Sequence, residues 1–177
     1  ASSFLTNGFV EATVQPDGKI WLIGTNFAKL VRFTEAGSPD TSINGTGVIP
    51  LTIPEGDILP RDIKMQRNGS VVVVGELNGH YGNLVVAQFT SSGQLDRGFN
   101  EGKGYILFED NEFKCRAYFH CMELLIHDDG KIVVFAQLNK NMLMRLYPDG
   151  TPDTGGRIVN TTTYAEGLNA VTVDQEN

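Results

Sequence analysis

Asp40, Asp96 and Asp153 are the residues whose type and spacing most invite chemistry. They lie 56 and 57 residues apart, each three residues after a glycine. A carboxylate is a ligand for calcium, but that cation takes about six to eight oxygens. Each of these turns offers one carboxylate, so the spacing predicts instead a side chain that caps its own turn through backbone N–H groups. Arg32 and Arg145 each stand eight residues before one of these aspartates. That predicts a hydrogen-bonded pair tying strand to turn. Gln88 holds the same place in the second copy, where the pair is expected to be lost with the charge.

His127-Asp128-Asp129 is the densest acidic stretch. A metal site is one reading. The Asp-Gly pair that follows favours another, a type I′ hairpin turn with Asp129 and Gly130 at its centre. The remaining histidines, His80 and His120, fall in different parts of the chain. There is no Gly-x-Ser-x-Gly nucleophile elbow, and Gly102-Lys103-Gly104 lacks phosphate-loop spacing. Cys115 and Cys121 are too few for a structural zinc site. On one straight strand they would stand ~20 Å apart, so a disulfide needs a turn within residues 116–120. Two reduced thiols, or a disulfide closing that small loop, are the open alternatives. No catalytic residue, metal or cofactor is expected.

Composition narrows the partners. Against 21 Asp+Glu the chain has 14 Lys+Arg, a formal net charge of −7. Such a surface repels phosphate backbones, which argues against nucleic acid. Hydrophobic residues make up 41 % of the 177 residues and charged residues 20 %, the balance of a folded domain long enough to bury a core. No apolar run approaches the ~20 residues that span a bilayer. Ala1-Ser2-Ser3-Phe4 has neither the basic start nor the apolar centre of a signal peptide. The chain also begins without Met, and is expected to be a processed or excised piece of something longer.

The elements that must position these residues repeat. Gln15-Pro16-Asp17-Gly18 precedes the apolar run Ile20-Trp21-Leu22-Ile23-Gly24. Gln66-Arg67-Asn68-Gly69 precedes Val71-Val72-Val73-Val74-Gly75, and His127-Asp128-Asp129-Gly130 precedes Ile132-Val133-Val134-Phe135-Ala136. Gly18, Gly69 and Gly130 suit a turn position with positive φ. The runs after them are β-branched and apolar on both faces, which predicts inner strands covered on both sides, with Trp21 as core. A second strand and turn follow each run and end in Gly37, Gly93 and Gly150. Strands are also expected over 9–14, 62–65 and 122–126, and again over 48–53, 105–108 and 157–159. Pro50 points to a sheet edge.

Four short antiparallel strands at a period of about 50 residues describe a propeller blade. The fold class is therefore all-β, a β-propeller-like array of three four-stranded blades plus the opening strand of a fourth. Blade 1 is expected over about 8–54, blade 2 over 58–109 and blade 3 over 115–164, with the extra strand at 168–173. Either the fragment comes from a longer array, or that last strand completes a sheet elsewhere. The distance from Gly93 to Gly130 is 37 residues, against 32 from Gly37 to Gly69, so an insertion falls around 109–114.

These motifs resemble the delta-sixty repeat. Gln15-Pro16-Asp17-Gly18-Lys19-Ile20, Arg32-Phe33 and Gly37-Ser38-Pro39-Asp40-Thr41-Ser42 match it closely, and three copies cover nearly the whole chain. Gln88 and the shortened Thr154-Gly155-Gly156 depart from it. The resemblance implies a propeller-like fold in a large bacterial protein, secreted or attached to the cell surface, and it brings no catalytic motif. The expected function is a non-catalytic scaffold or binding module whose partner is another protein or copies of itself. The alternative is a lectin-like or enzymatic propeller with its site on the axial face near the 109–121 insertion.

Overall fold

The computed structural model describes residues 9–24, 27–77, 83–108, 122–137 and 141–153. The expected strands at 157–159 and 168–173, the 109–121 insertion, Cys115, Cys121, His80 and His120 lie outside the described residues. Among the described residues every regular element is a strand, and the strands form three antiparallel sheets.

The first sheet is β1 (Phe9–Val14), β2 (Ile20–Gly24), β3 (Phe27–Phe33) and β4 (Val48–Pro50), paired in chain order. Pro50, which has no N–H for a ladder, sits on the outer strand as expected. The second sheet adds a two-residue strand, β5 (Thr52–Ile53), ahead of β6 (Gly56–Met65), β7 (Val71–Leu77), β8 (Leu84–Phe89) and β9 (Tyr105–Phe108). Residues 52–53 thus lie with the second sheet, paired to the start of β6. The third sheet contains β10 (Met122–Ile126), β11 (Ile132–Gln137) and β12 (Asn141–Leu146). β6 packs against β1 on one side and β10 on the other, so the opening strands of the three units converge.

Register decides what each face buries, because directly paired side chains share a face and alternate residues do not. On the first sheet Trp21, Ile23, Leu30 and Ile49 point at the second, where they meet Ile63, Val71, Val73, Val85, Ala87 and Phe89. The other face of the second sheet presents Val72, Val74, Leu84 and Val86 to Leu124, Ile132, Val134, Met142 and Met144 of the third. Val71 to Val74 are all buried, as a strand covered on both sides requires. The outer sheets are fully covered on one face only. Ile20 and Leu22 on the first, and Val133 and Leu143 on the third, alternate as half-buried residues between buried ones. Among the described residues the large exposed apolar side chains are Val14, at 59 %, and Tyr147, at 42 %, one on each outer unit.

One turn geometry is used six times. The N–H of Gly18, Gly69, Gly130, Gly37, Gly93 or Gly150 donates to the carbonyl three residues earlier at 2.8–2.9 Å. The residue at that earlier position donates its own N–H to the residue after the glycine. All six glycines have φ between +77° and +85°. This corrects the expected type I′ turn at Asp129-Gly130. Asp129 is not among the residues with positive φ, so only the glycine is left-handed. The loop has three residues, a type I turn closed by a glycine bulge, and this leaves the residue before the glycine free to cap. Asp129 Oδ1 accepts the N–H of Lys131 at 3.0 Å, and Asn68 Oδ1 that of Ser70 at 2.9 Å.

The second-turn glycines also carry the stacking of the sheets. A Cβ on Gly150 would stand 2.7 Å from ring atoms of Phe99, which reaches over from the second unit. On Gly93 it would collide with Ile49 of the first unit. A Cβ on Gly37 meets nothing within 4 Å. Gly37→Ala should therefore cost only the left-handed backbone strain, about 1 kcal/mol. Gly150→Ala adds overpacking between sheets and should cost roughly 2 kcal/mol or more. Urea denaturation of the two variants checks this, and equal midpoints would contradict it.

Candidate functional site

Each unit's second-turn aspartate is a hub that joins both of its turns. Asp40 Oδ1 accepts the N–H of Ser42 at 3.1 Å and its hydroxyl at 2.6 Å, while Oδ2 lies 2.8 Å from Arg32 Nε and 3.6 Å from Lys19 Nζ. The backbone N–H of Asp40 donates to the Arg32 carbonyl at 2.9 Å, which fixes the turn on its own strand. Asp153 repeats the arrangement, with Arg145 Nε donating to Oδ2 at 2.8 Å and Lys131 Nζ at 3.5 Å. The Ser42 hydroxyl, its backbone N–H and the two cations hold the Asp40 carboxyl below the usual carboxylate range, against burial, which pushes it up.

The second unit overturns the expected loss of the pair. Gln88 Nε2 donates to Asp96 Oδ2 at 2.8 Å. The nitrogen of glutamine is as many bonds from Cα as Nε of arginine, so the amide reaches the same oxygen and only the charge goes. Ser70 Oγ stands 3.4 Å from that oxygen, in the place of Lys19 and Lys131, and Gly98 donates its N–H to Asp96 Oδ1 at 2.8 Å. The middle unit is a version of the same hub with neutral donors.

At the acidic turn, Asp129 accepts from the Lys131 backbone and lies 2.8 Å from His127 Nδ1 and 3.1 Å from Lys131 Nζ. Those contacts, the Lys131 N–H first, lower its pKa, and the hydrogen bond from the Lys131 ammonium to Asp129 raises that of Lys131. Among the described residues no group of three or more His, Cys, Asp and Glu is arranged to hold a metal ion.

A polar line across the opening strands was missed in the sequence. Lys64 Nζ sits 2.7 Å from Asp62 Oδ1 and 3.6 Å from Glu11 Oε1 of the first sheet. Asp62 Oδ2 accepts the backbone N–H of Leu124, in the third sheet, at 2.7 Å. Glu11, Asp62 and Glu123 are the same repeat position, four residues before Gln15, Gln66 and His127. Aligning the units by their first turns would have found it. A bulge precedes Glu11 in β1 and Asp62 in β6, which aims these side chains across the gap between sheets. The arrangement fastens one sheet to the next. Asp62 is 6 % exposed, and its carboxylate accepts from the Ile63 N–H, Lys64 Nζ and the Leu124 N–H.

Comparison with known proteins agrees with this geometry. A family model described as a β-propeller domain of unknown function (DUF5122) matches residues 15–42 and 66–99, the turn-to-turn segments of the first two units. No curated protein matches the chain. Among solved structures it is similar to a streptogramin B lyase, at 16 % identity over 82 % of this chain and 39 % of that one, with a TM-score of 0.51. It is also similar to a catalytically inactive virginiamycin B lyase from Staphylococcus aureus with quinupristin, at 15 % identity over 88 % of this chain and 41 % of that one, with a TM-score of 0.50. The chain thus spans about two-fifths of the length of these lyases. Likeness at such identities is a likeness of fold, and the three sheets are propeller-like blades.

The hub makes a specific demand of its donor. Arg145→Gln should cost less than about 1 kcal/mol, because the amide repeats what Gln88 does. Arg145→Leu takes a donor from the buried Asp153 carboxylate and should cost roughly 1–3 kcal/mol. Chemical denaturation ranks the two, and a glutamine variant as unstable as the leucine one would contradict the reading.

Proposed function

We propose that this chain is a non-catalytic repeat module of a bacterial protein that is secreted or displayed on the cell surface, where it serves as a scaffold for protein–protein contact. The observation that carries the reading is the use made of the polar repeat positions. Asp40, Asp62, Asp96, Asp129 and Asp153 are each held by donors from turns or neighbouring strands, so the groups best suited to chemistry are engaged in fixing the blades. The outer sheets keep an incompletely covered apolar face, which is surface suited to binding protein. The resemblance to delta-sixty repeats supports an extracellular setting.

A membrane-impermeant amine label added to intact source cells should modify the protein. Protein that is protected until lysis would contradict the surface assignment. Purified protein incubated with quinupristin, the molecule bound in one related fold, should return it unchanged by chromatography. A new species formed at a rate proportional to the protein would overturn the non-catalytic reading.

A further inference from the structure

Asparagine followed by glycine occurs twice among the described residues, as Asn44-Gly45 and Asn68-Gly69. This pair carries its own chemistry. The main-chain nitrogen of the glycine can attack the side-chain carbonyl carbon of the asparagine, because no Cβ hinders its approach. In a folded protein the step is governed by how firmly the two groups are held. At the first turn of the second unit both are held. The Gly69 N–H donates to the Gln66 carbonyl at 2.9 Å, and Asn68 Oδ1 accepts the Ser70 N–H at 2.9 Å. Reaction there must wait for the turn to open.

Asn44-Gly45 lies in the loop between the Asp40 hub and β4, and Asn44, Gly45 and Thr46 are all exposed. The Asn44 amide donates from Nδ2 to the Val48 carbonyl at 3.3 Å. No hydrogen bond holds the Gly45 N–H among the described residues, and a Cβ on Gly45 would meet nothing within 4 Å. The second unit supplies a comparison. Asn100 follows Asp96 by four residues, as Asn44 follows Asp40, and has a φ of 48° against 49°. Its Nδ2 donates to the Tyr105 carbonyl at 2.6 Å and its N–H to the Asp149 carbonyl at 2.7 Å. Glu101 follows it in place of a glycine. The same backbone conformation thus occurs once with the reactive neighbour and once without it.

We propose that Asn44 is a site of spontaneous modification, losing its side-chain amide through a cyclic imide formed with Gly45. The Gly45 nitrogen bonds to Cγ of Asn44, and the Cγ–Nδ2 bond breaks. Nδ2 leaves as ammonia, taking the proton that the Gly45 nitrogen gives up. Water then opens the imide. Attack at Cγ gives aspartate with the ordinary main chain. Attack at the main-chain carbonyl carbon of residue 44 gives isoaspartate, in which the chain runs through Cγ. Either product adds a negative charge, and isoaspartate also adds a carbon to the main chain. The loop has little room for that carbon. A Cβ on Gly47 would stand 2.9 Å from the Arg32 carbonyl oxygen, and Ile43 is buried beside Gly93 of the second unit. Conversion therefore acts on the contact between the first two sheets. The inference does not depend on the scaffold reading.

Incubation of the full chain in mildly alkaline buffer, followed by tandem mass spectrometry of its peptides, tests this. Residue 44 should gain the mass of an amide-to-acid exchange and elute as two products, aspartate and isoaspartate. In the folded protein it should convert about tenfold faster than residue 68 or more, since two hydrogen bonds must open there first. Residue 100 should stay unconverted over the same time. In guanidinium chloride residues 44 and 68 should convert at similar rates, because both then are free Asn-Gly pairs. Gly45→Ala should slow conversion of residue 44 by about tenfold or more. The comparison is made in guanidinium chloride as well, where strain from the alanine has no bearing. A residue 44 that survives in the folded protein while the unfolded chain converts would overturn the proposal. So would a folded protein in which residue 68 converts as fast, or a Gly45→Ala variant that converts unchanged.

Discussion

A sheet that is apolar on both faces has to be covered on both sides, and the rest of this structure follows from meeting that need by stacking. Val72 and Val74 of β7 point one way while Val71 and Val73 point the other, so the middle sheet is stable only between two neighbours. Burying one such side chain is favourable by roughly 1.5–3 kcal/mol. The polar contacts between sheets are fewer and set the geometry of the stack. Asp62 fixes the third sheet through the Leu124 N–H, and Arg32 fixes the second through the Ser91 carbonyl. Second-turn glycines let the sheets approach, since Phe99 and Ile49 occupy the space that a Cβ would take.

The hub aspartates show how a repeat holds its geometry while its chemistry drifts. Lys19, Arg32 and Asp40 in the first unit correspond to Ser70, Gln88 and Asp96 in the second and to Lys131, Arg145 and Asp153 in the third. Two cations have gone from the middle unit, and the distance to the carboxylate oxygen from the strand donor is 2.8 Å in all three. Position of a donor, more than its charge, is what the turn requires. Burying a neutral amide also avoids the desolvation of an ion, which a salt bridge offsets only with good geometry.

Much of the fold was legible because its signals are local. β1 and β10 fall where the apolar runs before Gln15 and His127 put them, and Gly18, Gly69 and Gly130 have the positive φ expected of them. Three features were not legible, each for a physical reason. Asp-Gly suits both a type I′ turn and a type I turn with a glycine bulge, and the choice depends on how the flanking strands pair. The Gln88 contact depends on bond count rather than charge, so a reading by charge missed it. Asp62 acts on Leu124, 62 residues away, and only the packing of sheets brings them together. Of the site itself, the sequence located the hub aspartates and their capping role but missed the line through Glu11, Lys64 and Asp62.

Stacking makes a claim about where stability resides, and native-state hydrogen exchange measures it directly. Amides of β7 and β8 should exchange only on global unfolding, since both of their faces are buried. Those of β2, β3, β11 and β12 should exchange sooner, through opening of an outer sheet. Uniform protection across the three sheets, or the highest protection in an outer one, would contradict an account in which the middle sheet is held by its two neighbours.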